Sequence, residues 1–390
     1  MFTIIKNGFV YSPEFQGKKN ILICMDKIIS VYKEEDGLLP LNIPCSLIHT
    51  IDAKKMIDVP GFIDQHMHFL GGGGKHGYAS RAGVVEFENI VKFGVTTAIS
   101  SLGVDSYLKS LSNLLVRSRE LESKGLTTHI LTGGFQLPLK SITNNIFDDL
   151  IYIDKVIGVG EIGIADDFGS QPTVGEIRRI AANTNVVASI SEKPGKIIIH
   201  LGSGIRGFDL ILEVLEKSNL SIQQFILTHI NRNEKLLKKA IEFAKLGGIV
   251  DITTGISPEL GLKDSIFPHD ALQYLLDSSV PIENITLSSD SGGFRSFYEA
   301  NGTNINSFLL SSGTLLNTIV KSIQEKKTDL STVLKTITSN IARIWNLFSK
   351  GEIKPNRDAD LIILDQFFNV QKAICKGKIV FDLDCAKDSC

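Results

Sequence analysis

The stretch "VPGFIDQHMHFLGGGGKHG", residues 59–77, runs apolar up to two histidines one residue apart and then turns through four consecutive glycines. Alternate residues of a strand share a face, so His66 and His68 can approach one ion from the same side. A strand that is apolar along its length and ends in ligand-type side chains is what a parallel barrel carries at its functional rim. The pattern recurs. "VIGVGEIGIAD" (156–166) ends around Glu161, "KIIIHLG" (196–202) around His200, "QFILTHIN" (224–231) around His229 and "NITLSSDSGG" (284–293) around Asp290. With "IDVPGFIDQHMHF" (57–69), "VTTAISSLG" (95–103), "TTHILTGGF" (127–135) and "GGIVDITTG" (247–255), the candidate strands number eight.

Between them lie segments with apolar residues at i, i+3, i+4 spacing that often end in glycine, such as "DSYLKSLSNLLVRSRELESKG" (105–125), "NEKLLKKAIEFAKLGG" (233–248) and "IFPHDALQYLLDSS" (266–279). These read as helices outside a parallel sheet. The spacing predicts an α/β fold, a (β/α)₈ TIM-like barrel over residues 59–348. Residues 1–58 and 349–390 carry short strand patterns ("FTIIKNGFVYS", "KNILICMDKIISVYK", "DADLIILD", "VQKAICKGKIVFD"), which predict one small β-sandwich-like domain built from both termini.

Composition narrows the function. The 390 residues are 43% hydrophobic with a formal charge of −2, so a large core is expected and there is no basic excess for a nucleic acid or an anionic membrane. The N-terminal "MFTIIKNGFVYSPEF" reaches Lys6 and Asn7 before an apolar leader could form, which predicts a cytoplasmic protein. The five cysteines, Cys24, Cys45, Cys375, Cys385 and Cys390, lack CxxC spacing and read as ordinary thiols in a reducing compartment. "GSGIRG" (202–207) matches a dinucleotide-loop pattern, but the next strand ends in Thr228 and His229, not in an acid for a ribose.

His66, His68, Glu161, His200, His229 and Asp290 therefore all fall at strand ends and converge on one rim. Burying carboxylates there is costly unless cations compensate, which predicts two divalent metal ions, zinc by preference. The glycines Gly73 and Gly74 are expected to let the backbone pass close to a substrate and offer it N–H groups.

At this point the chain resembles the amidohydrolase superfamily and, within it, the β-aspartyl (isoaspartyl) dipeptidases. "PGFIDQHMH" with "GGGG", "GVTTAISSLGVDS", "ILTGGF", "THINRN", "GGIVDIT", "LSSD" and "GEIKPNRDADLIIL" have that look and order. The resemblance implies a metal-dependent hydrolase of amide bonds acting on a small or dipeptide-like substrate, in a homo-oligomer. It also implies that His66, His68 and Asp290 hold one ion and His200 and His229 the other, with Asp290 as the catalytic proton acceptor and donor.

Two departures matter. The family's bridging carboxylated lysine on strand four is replaced by Glu161, a feature shared with TatD-type nucleases, so a phosphodiesterase is a rival reading. The recognition shell is also altered. Lys75 stands where a glutamate holds the substrate's ammonium, Phe135 where a tyrosine serves the oxyanion, Val104 for a threonine, Phe168 for an arginine and Phe294 for a serine, while Arg232 is kept. The substrate is therefore expected to differ, with N-acyl amino acids and cyclic amides as alternatives. A mononuclear deaminase would carry a glutamate soon after His200, and "HLGSG" has none.

Overall fold

The structure, a computed structural model, describes residues 2–36, 44–298 and 304–387. Eight strands form one all-parallel sheet in sequential order: Phe62–Met67, Val95–Ser100, Thr127–Thr132, Val156–Ile164, Lys196–Leu201, Phe225–Thr228, Ile249–Thr253 and Ile285–Ser288. The last strand returns to the first, with His68 N–H donating to Ser291 O at 2.8 Å and Asp290 N–H to His66 O at 3.0 Å. The result is the predicted barrel.

Its lower interior is a ring of aliphatic side chains, one from each of the first seven strands: Ile63, Ile99, Leu131, Ile157, Ile198, Ile226 and Ile249. The short helix Ser339–Ile344 and Trp345 plug this ring from below. Such a filled floor leaves only the opposite, carboxyl-end rim for a ligand. The outer helices form where the sequence caps them. Asn233 accepts Leu236 N–H at 2.9 Å to start Glu234–Lys245, and Thr173 with Glu176 makes a capping box for Val174–Ile190. The segment predicted as one helix from 105 begins only at Leu111, because Ser110 is the residue that accepts Asn113 N–H.

The two ends of the chain meet in a second sheet ordered Lys378–Asp382, Val370–Cys375, Leu361–Leu364, Ile57–Pro60, Phe2–Tyr11, Phe15–Cys24 and Lys27–Tyr32, with Ile48–Asp52 also on Phe2–Tyr11. The stretch read from sequence as one strand, 57–69, is two. Ile57–Pro60 pairs antiparallel with Leu361–Leu364 in the small sheet, and Phe62–Met67 enters the barrel. Gly61 makes the passage: its N–H donates to Asp360 O at 2.9 Å, and a side chain there would collide with Thr96. The sequence reading also missed an antiparallel hairpin beyond the last barrel strand, Phe294–Tyr298 with Asn304–Leu309.

Candidate active site

The six ligand-type residues come together, all buried. Glu161 is the hub. Its Oε2 lies 3.0 Å from His66 Nε2, 3.2 Å from His200 Nδ1 and 3.9 Å from His229 Nε2, and its Oε1 lies 3.6 Å from His68 Nε2. His68 Nε2 is also 3.1 Å from Asp290 Oδ1, and His229 Nε2 is 2.9 Å from His200 Nδ1. Two sets, His66–His68–Asp290 and His66–Glu161–His229, each bring one ligand-type atom per residue within 4.8 Å of the others.

The donors suit cations. Each ring turns one nitrogen to an anchor: His68 Nδ1 to Ser101 O at 3.1 Å, His229 Nδ1 to Thr253 Oγ1 at 2.7 Å, His66 Nδ1 to Thr228 Oγ1 at 3.4 Å and His200 Nε2 to Asp166 Oδ2 at 3.2 Å. The other nitrogen points inward at carboxylate or imidazole. His66 Nε2 lies 3.0 Å from Glu161 Oε2 as a charge contact but makes no hydrogen bond of good geometry. An orphaned imidazole nitrogen among buried carboxylates is the arrangement of a metal ligand with its outer nitrogen anchored.

Charge follows the same geometry. Burial alone would lower the His66 pKa, but the Glu161 carboxylate beside it lifts it to about 9. Glu161, against its own burial, is held well below the usual carboxylate range by His66 and His200. His229, desolvated and facing His200 and Arg232, is pushed well down. The backbone is also set for these side chains. His229 and Asp290 both take left-handed φ values, 68° and 56°, a conformation that costs an L-residue about 1–2 kcal/mol.

The model of the Amidohydrolase family matches residues 57–380. The chain belongs to the amidohydrolase family. Within that family, a β-aspartyl dipeptidase from the keratin-degrading thermophile Fervidobacterium islandicum AW-1, solved with β-Asp-Leu, superposes with a TM-score of 0.88 at 37% identity, covering 98% of this chain and 97% of that one. An adenine deaminase of Clostridium perfringens is 24% identical over 98% of this chain, and a dihydroorotase of Lactobacillus johnsonii 22% identical over 94% of it and 89% of the dihydroorotase. The chain spans only 59% of the length of that deaminase.

Beside the hub, the amidohydrolase barrel opens a cavity of about 190 Å³. Gly73, Lys75, Val104, Phe135, Arg232 and Phe294 line it, whereas Phe168, named with them from the sequence, does not. Gly74 does not: its N–H is spent on Ser80 O at 2.8 Å. The glycine run also has a reason of its own. Gly73, at φ 95°, would carry a Cβ 2.5 Å from Ser80 O, so packing of this loop forbids a side chain whatever the ligand. "GSGIRG" is no phosphate cradle either, since Gly202 and Gly204 N–H groups donate to Ile164 and Ala165 carbonyls.

Lys75 is held inside, not swung into solvent. Its Nζ lies 3.1 Å from both Asp166 oxygens and 4.7 Å from the centre of the Phe168 ring. Burial lowers its pKa and Arg232 adds to this, while Asp166 opposes. Asp166 was missed in sequence, although it stands just beyond the end of the fourth strand, Val156–Ile164, which carries Glu161. Its oxygens also meet His200 Nε2 at 3.2 Å and Phe168 N–H at 2.9 Å, so its acceptor capacity is used. Arg232 Nη2 lies 3.3 Å from His200 Nε2, and its buried Nε has no partner, leaving donors for an anion. Phe135 is fully buried, edge-on to His200 with centroids 4.7 Å apart, and offers no hydroxyl. Among the described residues, no helix is long and apolar enough to cross a membrane.

Proposed function

We propose that this amidohydrolase cleaves amide bonds in small molecules whose acyl part carries no free α-ammonium, using two divalent ions, zinc by preference. One observation carries the reading: the hub built on Glu161 opens directly onto a pocket lined by two cations, Lys75 and Arg232, with the single carboxylate of Asp166, shared between Lys75 and His200, set against them.

His66, His68 and Asp290 would hold one ion, His200 and His229 the other, with Glu161, which faces both sets, between them. When bound there, divalent ions would acidify water toward a pKa of about 7 and polarise a carbonyl. The chain does the rest. Asp290, 3.1 Å from His68 and at the pocket wall, takes the proton of the attacking water and returns it to the leaving nitrogen. Arg232 receives a substrate carboxylate through its free donors. Lys75 faces the acyl end and favours a carboxylate or a neutral group there. Phe135 excludes water beside His200 but cannot donate to an oxyanion, a loss worth about 3–4 kcal/mol where a single donor has been removed elsewhere. The phosphodiesterase alternative, an N-acyl amino acid hydrolase and a cyclic amidase would use the same hub; the 37% identity with a dipeptidase supports an amide.

Elemental analysis tests the ligand assignment. The protein is expected to retain close to two divalent ions per chain, and Glu161→Ala to retain fewer. Two tightly held ions in Glu161→Ala would contradict the bridge. Chelation is expected to abolish release of leucine from N-acyl-leucine substrates, and cleavage of single-stranded DNA without amide hydrolysis would favour the phosphodiesterase.

A further inference from the structure

Beneath the histidines, a layer of polar side chains crosses the barrel above its aliphatic floor. Trp345 Nε1–H can only donate, and it donates to Gln65 Oε1 at 2.9 Å. That fixes the Gln65 amide and turns its Nε2 to Asp251 Oδ1 at 2.8 Å and Thr286 Oγ1 at 2.6 Å. Asp251 also accepts from Thr286 Oγ1 at 2.8 Å, Ser288 Oγ at 2.6 Å and Thr228 Oγ1 at 2.7 Å. Four donors thus serve a carboxylate with no exposure at all. A carboxylate is an expensive way to fill a barrel, so the layer calls for a purpose beyond packing.

Thr228 supplies it. A hydroxyl has one proton, and once it is given to Asp251 the Thr228 oxygen can only accept. Its remaining neighbours are His66 Nδ1 at 3.4 Å and Thr253 Oγ1 at 3.2 Å, and Thr253 in turn meets His229 Nδ1 at 2.7 Å. The outer N–H groups of two imidazoles therefore lead through hydroxyls to one carboxylate. On the ligand assignment above, on which this inference rests, those two imidazoles belong to different ions.

We propose that Asp251, acting through the Thr228 hydroxyl, is a positioning residue that fixes the Nδ1–H tautomer of both His66 and His229 and so leaves their Nε2 atoms free for the two ions. Partners of this kind typically change metal affinity by about 10–100-fold when removed.

The test needs no substrate. Full-length wild type, Thr228→Val, Thr228→Ser and Asp251→Asn are stripped of metal and titrated with cobalt(II) against a chromophoric chelator, with the visible cobalt spectrum recorded and thermal melts of the stripped proteins as the folding check. Thr228→Val keeps the shape and loses the hydroxyl. It is expected to weaken cobalt binding about 10-fold or more and to shift the visible bands, while melting near wild type. Thr228→Ser is expected to restore both affinity and spectrum, and this pair decides even where Asp251→Asn does not fold. Wild-type affinity and spectrum in Thr228→Val, with two cobalt ions bound by the wild type, would overturn the inference alone. A wild type that binds no cobalt would overturn the ligand assignment and this inference with it.

Discussion

Asp290 shows at the scale of one residue how local conformation and chemistry are joined. Its φ of 56° is a region that asparagine tolerates about as well as aspartate, and an amide oxygen can still face a cation. Asp290→Asn is therefore expected to melt close to wild type and lose at least about 10²-fold in kcat, since an amide cannot take the proton. Circular dichroism melts beside a leucine-release assay check both halves; more than about a tenth of the wild-type rate would contradict the proton role. Asp290 was legible in sequence because an acid ending an apolar strand has few other uses. Asp166 was not, because nothing local distinguishes it from Asp167 next to it; only the fold brings it to Lys75 and His200. Gly74 misled for the opposite reason, since a glycine that permits a turn looks the same in sequence as one that admits a ligand.

Among the elements, the strand Ile57–Pro60 holds the least expected group. Asp58 is fully buried against Gly8 with no partner for either oxygen, and burial holds its carboxyl well above the usual range. A carboxyl whose folded pKa is raised contributes its full stability below the unfolded value of about 3.9 and loses it as pH climbs toward the folded value, about 1.4 kcal/mol for each unit of separation. Asp58→Asn removes that slope. The melting temperature of Asp58→Asn minus that of wild type is expected to rise from pH 4 to pH 7; a flat difference would mean that Asp58 stays ionised or finds water. Sequence periodicity joined this strand to the next because both are apolar and contiguous. Only the pairing of Pro60 with Leu361, roughly 300 residues away in the chain, separates them, and no local pattern carries a contact of that range.

The whole molecule was the easiest level to read. Eight apolar strands with capped helices between them admit few arrangements, and the short patterns at both termini had only each other to pair with. Substrate choice is a whole-molecule property of another kind, the balance of charge that loops from several barrel units bring to one pocket. Lys75 after the first strand, Asp166 after the fourth and Arg232 after the sixth sum to one net positive charge beside the hub. Two cations about 4 Å apart repel by about 4 kcal/mol at an effective dielectric near 20, roughly a thousandfold in affinity before Asp166 and solvent reduce it. β-Aspartyl-leucine and N-succinyl-leucine differ only in that ammonium, so the most direct test is the ratio of their kcat/KM values in wild type and in Lys75→Glu. Wild type is expected to prefer the succinyl substrate by at least about tenfold, and Lys75→Glu to reverse the order. A wild type that cleaves β-aspartyl-leucine as well as or better than N-succinyl-leucine, with no gain in Lys75→Glu, would contradict the account.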